Sequence, residues 1–96
     1  MILIVRGLIV FKIRYLQKRI MPTSYSTSEK KLLLKVGKRI RKLRLDACFS
    51  QEKLAFVSEL DRTYIGSVER GERNISVINL HKISVALNVD SFELLK

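Results

Sequence analysis

Within the stretch from Ser50 to Arg70, the residues Arg62, Thr63, Ser67 and Arg70 fall at spacings that a helix gathers on one face, with Gly66 among them. Their side chains donate hydrogen bonds. A helix presenting such donors outward suits the major groove of duplex DNA, where each base pair shows its own pattern of acceptors. Arg62 carries the planar fork that fits the two acceptors of a guanine edge, and Thr63 and Ser67 are expected at base edges beside it. Arg70, together with Arg73 and Asn74 of the following loop ERNI, is expected on phosphates, which fix position rather than sequence. Tyr64 has two readings, a hydroxyl near the nucleic-acid backbone or a ring packed beside the turn. Gly66 lowers helix propensity by ~1 kcal/mol. One turn from Arg62, it would let the duplex approach closely.

Other chemistries lack their residues. One histidine and one cysteine provide no metal site of familiar spacing, so no metal or cofactor is expected. There is no glycine-rich phosphate loop, nucleophile elbow or pair of catalytic carboxylates, and an enzyme is not expected. Cys48 has no partner for an internal disulfide and fits a reducing cytoplasm.

Helices must hold these donors. Ser50 is placed to cap a helix whose apolar stripe is Leu54, Ala55 and Val57. Asp61 restarts helix, with Ile65 and Val68 turned inward one turn apart. Upstream, Leu33, Val36, Ile40 and Leu43 predict a helix from about Ser28 or Glu29 to Asp46. Its lysines and arginines lie largely on the other faces. Downstream, Ser76 caps a helix running to about Leu87, with Val77, Leu80, Ile83 and Leu87 inward. Asn88 suits its left-handed end. A short last helix begins at Asp90, with Glu93 closing a reciprocal capping box. The expected fold is all-α, with five helices.

The blocks SQEKLA, LDRTYI and VERGERN, in this order and spacing, resemble the Cro/repressor-type (XRE) helix-turn-helix domain. The likeness extends upstream to GKRIRKLR and downstream to SVINLHKISVALNV, covering roughly residues 33–96. The LDRTYI block is most similar to the small controller proteins of restriction–modification operons. The resemblance implies a five-helix lambda-repressor-like domain and a regulator of transcription. It implies that Gln51 binds phosphate and braces the recognition helix. It pairs Arg44, at the end of the first helix, with Glu69 in a mostly buried salt bridge of structural role. It also puts Cys48 and Glu59 at turns where the family has glycine, or asparagine at the second, so each non-glycine residue costs about 1 kcal/mol. Antitoxins and prophage repressors share these blocks and remain alternative readings.

Charge agrees with a polyanionic partner: 19 basic groups against nine acidic ones give a formal net charge of +10. Residues 1–20, MILIVRGLIVFKIRYLQKRI, hold five of the basic groups and none of the acidic ones. Their apolar runs are too short to cross a bilayer. Met21 is the expected biological start, with residues 1–20 an in-frame extension. The alternative is a basic membrane-surface segment, and with it a membrane-associated regulator. Residues 21–28 are expected to be a linker and 29–96 the DNA-binding domain.

One helix-turn-helix reads few base pairs, so two chains are expected to join on a palindromic operator. The apolar outward residues Ile78 and Val85, followed by Phe92, Leu94 and Leu95, are the expected homodimer interface. Double-stranded DNA and a second copy of the chain are the expected partners, with RNA polymerase as a further one for a transcription regulator.

Overall fold

Ser26 starts the first helix. Its hydroxyl accepts from the Glu29 N–H at 3.2 Å, and the Glu29 carboxylate accepts from the Ser26 N–H at 2.8 Å. This capping box satisfies two backbone donors that the helix itself leaves open. The computed structural model describes residues 24–96, so the leader and the first part of the expected linker lie outside the described residues. The helix that follows, α1, spans Thr27–Asp46 and so begins inside the segment expected to be linker. The box Ser26–Glu29 is the physical reason for the early start.

Three further α-helices follow: α2 (Gln51–Ser58), α3 (Arg62–Glu69) and α4 (Val77–Ala86). Ser50, Asp61 and Ser76 cap them, each with its side-chain oxygen accepting a first-turn N–H. All four helices end alike. A residue with positive φ turns the chain (Cys48 59°, Glu59 60°, Gly71 76°, Asn88 56°). The next N–H then reaches back five residues, from Phe49 to Arg44, Leu60 to Ala55, Glu72 to Ser67 and Val89 to Ser84. Each bond satisfies a carbonyl that the helix end would otherwise leave open. Only one of the four turns uses glycine.

The fifth element is a 3-10 helix over Ser91–Leu95 rather than an α-helix. Asp90 caps it by accepting from the Phe92 N–H at 3.0 Å. The expected reciprocal bond from Glu93 is not made, because its carboxylate serves elsewhere. It accepts from Lys96 Nζ at 2.8 Å and Arg39 Nη2 at 3.1 Å. Lys96 first, then Arg39, holds this carboxyl below the usual carboxylate range. Arg39 Nε also donates to the Glu93 carbonyl at 2.9 Å, tying the chain end to α1.

Val36, Ile40, Leu54, Ala55, Ile65, Val68, Leu80, Ile83, Leu87 and Leu94 form one core among the elements. Val57 and Val77, expected inward, are 41% and 81% exposed. Both sit on short helices whose buried arc is narrow and already filled, by Leu54 and Ala55 in α2 and by Leu80 and Ile83 in α4. Gly37 lets α1 meet the end of α3. A Cβ there would stand 2.6 Å from the Glu69 carbonyl oxygen, well inside contact distance. The two backbones cross where only hydrogen fits.

Candidate nucleic-acid interface

α3 is fixed from behind by charge. The Arg44 guanidinium donates from Nε to Glu69 Oε2 at 2.6 Å and from Nη2 to Oε1 at 3.0 Å, and both residues are 7% exposed. Arg44 Nη1 also donates to the Phe49 carbonyl at 2.8 Å, so the turn between α1 and α2 shares the same cation. Gln51 Nε2 adds a bond to Glu69 Oε1 at 3.1 Å. Such a fork-to-carboxylate pair holds direction as well as distance. The start of α2, the end of α1 and the end of α3 are therefore tied together by one network.

From that brace α3 projects Arg62 and Thr63 into solvent. The Arg62 side chain is 60% exposed, with Glu52 Oε1 only at the limit of ion pairing, 4.0 Å from Nε. Asp61 receives the N–H groups of Thr63 and Tyr64 at 2.9 and 3.3 Å, which leaves the Thr63 hydroxyl uncommitted to the cap. Arg70 is exposed but engaged, since Nε lies 2.5 Å from Glu72 Oε2. This hydrogen bond raises the Arg70 guanidinium above its ordinary value and holds the Glu72 carboxyl below the usual range. A phosphate reaching Arg70 must compete with Glu72.

Ser67 is not on the outer face. It is 5% exposed, its hydroxyl donating to the Tyr64 carbonyl at 2.8 Å and accepting from Arg73 Nε at 3.2 Å. The burial has a plain cause: the loop after α3 folds back and lays Arg73 across it. Ser67 therefore holds Arg73 rather than meeting a base edge. The Arg73 guanidinium also stands over the Tyr64 ring, 6.0 Å from its centroid. The Tyr64 hydroxyl in turn accepts from Asn79 Nδ2 at 3.1 Å. The half-buried ring matches the packing reading of Tyr64, and its hydroxyl is held by Asn79. Asn74 is exposed beside it. Gly66 is buried under the Gln51 and Arg70 side chains, 3.6 and 3.2 Å from where a Cβ would be, and does not line an open face.

Asn79 and Gly37 were not singled out from sequence. Asn79 lies 15 residues from Tyr64 and no local pattern joins them. Gly37 had a signal, a glycine inside an otherwise regular helix, which costs ~1 kcal/mol and so wants a reason.

The apolar residues of the expected dimer surface divide. Ile78, Val85, Phe92 and Leu95 are 69, 64, 72 and 47% exposed, and Val77 joins them. Leu94 is fully buried and belongs to the core, not to an interface. The 3-10 turn directs Leu94 inward and Leu95 outward. Among the described residues no group of histidine, cysteine, aspartate or glutamate is arranged to hold a metal, and no helix is long and apolar enough to cross a membrane.

Comparison with known proteins accords with this geometry. A family model described as helix-turn-helix matches residues 40–94. The chain is 52% identical over 60 residues to the control protein C.BamHI of Bacillus amyloliquefaciens, spanning 62% of this chain and 74% of that one. Its structure is similar to that of the restriction-modification controller protein C.AhdI from Aeromonas hydrophila. The TM-score there is 0.64 and the identity 52%, over 65% of this chain and 94% of that one. It is also similar to C.Esp1396I, a restriction-modification controller protein solved as a tetramer with its natural 35 base-pair operator. That match has a TM-score of 0.61 and 42% identity, over 68% of this chain and 96% of the other.

Proposed function

The chain belongs to the helix-turn-helix family, and from that membership we propose that it is a sequence-specific DNA-binding regulator that controls a restriction–modification operon as a homodimer on a palindromic operator. The observation that carries this reading is the braced α3. Arg62 and Thr63 stand exposed at its outer edge, while Arg44, Glu69 and Gln51 lock its direction from behind. Base-edge recognition needs that rigidity, since a hydrogen bond to a base discriminates only when the donor cannot swing to another.

In this reading Arg62 and Thr63 meet base edges. Gln51, Tyr64, Arg70, Arg73 and Asn74 hold phosphates around them, and Ser67 and Asn79 preset the Arg73 and Tyr64 side chains. Ile78, Val85, Phe92 and Leu95 join two chains, spacing two α3 helices for successive major grooves about 34 Å apart. The relatives named as control proteins support the operon, and the tetramer of C.Esp1396I in complex with its operator supports several copies acting together on operator DNA. The protein acts on the nucleoid in the cytoplasm, where RNA polymerase is its further partner. The regulatory domain, expected over 29–96, takes in the whole of α1 and its Ser26 cap.

Selection from a random duplex library, followed by salt titration on the winner, tests the reading. Two-fold symmetric sites should be enriched. The log–log slope should be about −0.9 for each cationic phosphate contact, or roughly −4 for a dimer using Arg70 and Arg73 twice. A flat slope, or no enriched sequence, would refute it.

A further inference from the structure

The outward side of α1 carries a second cationic surface. Lys31, Lys35, Lys38 and Lys42 follow one another four, three and four residues apart. At 3.6 residues per turn these spacings line them up within a band roughly 60° wide and roughly 16 Å long. By the same geometry the band lies roughly 180° around the helix from Val36, Gly37, Ile40 and Arg44, the side α1 buries. It therefore faces away from the core that carries α2 and α3. Lys96 joins from the chain end across a groove of about 500 Å³.

This face is left positive. Glu93, the acid nearest the chain end, is already shared by Arg39 and Lys96, and Asp46 is paired with Lys42 at 3.2 Å. Lys31, Lys35 and Lys38 make no ion pair among the described residues. Lys31 with Lys35, and Lys38 with Lys42, are like charges one turn apart, an arrangement that weakens the helix bearing it. Such an array is relieved by a polyanion.

Two kinds of polyanionic partner fit poorly. A protein interface needs buried apolar or aromatic anchors, and among the described residues Leu34, 43% exposed, is the one apolar residue lining the groove. An anionic membrane asks for a continuous apolar face beside the cationic one, whereas along this edge of the band the described residues place Leu34 and Leu45, 43 and 53% exposed and eleven residues apart. Lysine ammoniums on flexible stems suit phosphates as point charges and read no sequence.

We propose that the lysine face of α1 is a second phosphate-backbone site, which takes another stretch of duplex DNA while α3 holds the first. The site itself stands apart from α3; the bridging of two duplexes rests on the function proposed above. Affinity there should be independent of sequence and steep in salt. Three phosphate contacts correspond to roughly a 40-fold loss between 50 and 200 mM salt.

The test uses the full chain and a random 30-base-pair duplex, read by fluorescence anisotropy. In an Arg62→Ala/Arg73→Ala background, adding Lys31→Gln, Lys35→Gln and Lys38→Gln should weaken the remaining binding by about tenfold or more. Adding Lys30→Gln, Arg41→Gln and Lys82→Gln removes the same charge from exposed positions off the band and should cost less than about threefold. Equal losses from the two triples would show a diffuse charge effect and overturn the site, as would no loss from the first. Bridging is read by tethering one duplex to beads and capturing a second, fluorescent one. Wild type should capture it, and the Lys31, Lys35, Lys38 triple should bind the tethered duplex without capturing another. Capture that survives in that triple would overturn bridging. Poly-glutamate bound through these lysines in preference to duplex would instead assign the face to an acidic protein. Failure of the α3 reading is separate: it would appear as Arg62→Ala/Arg73→Ala binding operator as wild type does.

Discussion

Arg62 and Arg73 are both exposed arginines near α3, yet their surroundings assign them different work. Arg62 is tethered weakly, with Glu52 4.0 Å away, and can extend its fork into a groove. Arg73 is laid down against Ser67 and the Tyr64 ring, a posture for a fixed anion rather than a chosen base. Arg62→Ala should therefore cost ~1–3 kcal/mol concentrated at one base position. Arg73→Ala should weaken all duplexes alike and reduce the salt slope by about one per subunit. Competition titrations on single-base operator variants separate the two, and uniform losses from both would sink the division. Arg70 gives a prediction of opposite sign. Glu72→Gln removes both the competitor for its guanidinium and a negative charge from the surface, so duplex affinity should rise about two- to tenfold at low salt. An unchanged or lower affinity would mean that Arg70 does not meet phosphate.

At the scale of elements, α3 depends on a buried ion pair that reaches across 25 residues of sequence. Arg44→Ala strands the Glu69 carboxylate and Glu69→Ala strands the guanidinium, so each should cost ~3–5 kcal/mol of folding stability. Replacing both at once by Met should cost much less than the sum, because neither charge is then left without its partner. Urea midpoints report this directly, and single variants that unfold with wild type would remove the brace from the account. Beside the brace lies Gly37, where α1 and α3 touch backbone to backbone. Charge sets the direction of α3 and this contact sets its depth.

For the whole molecule, the proposed homodimer would cover the exposed apolar residues of α4 and the 3-10 helix. Phe92 and Leu95 are 72 and 47% exposed, and Val85 and Ile78 of the preceding helix 64 and 69%. Burying each such side chain against a second copy is worth roughly 1.5–3 kcal/mol. A few of them on both chains suffice for a stable dimer. Phe92→Asp and Leu95→Asp should each yield a folded monomer by sedimentation, with operator binding lost in proportion. Folded variants that still sediment as dimers would place the interface elsewhere.

Much of this protein was legible along the chain because its signals are local. Ser50, Asp61 and Ser76 mark helix starts through one-turn hydrogen bonds, and Cys48, Glu59 and Asn88 stand at ends whose geometry spans five residues. The 3.6-residue period placed Val36, Ile40, Ile65 and Ile83 inward for the same reason. Whatever depended on a neighbour distant in sequence was decided only in three dimensions. Periodicity turns Ser67 outward, but the returning loop covers it with Arg73. Leu94 and Leu95 are identical side chains in succession, and the tighter 3-10 turn, held to α1 by Arg39, selects which one enters the core. Tyr64 finds Asn79, and Gly37 finds the end of α3, through packing that no local pattern encodes. Helix identity is a property of adjacent residues, whereas the exposure of a side chain belongs to whatever else folds against it.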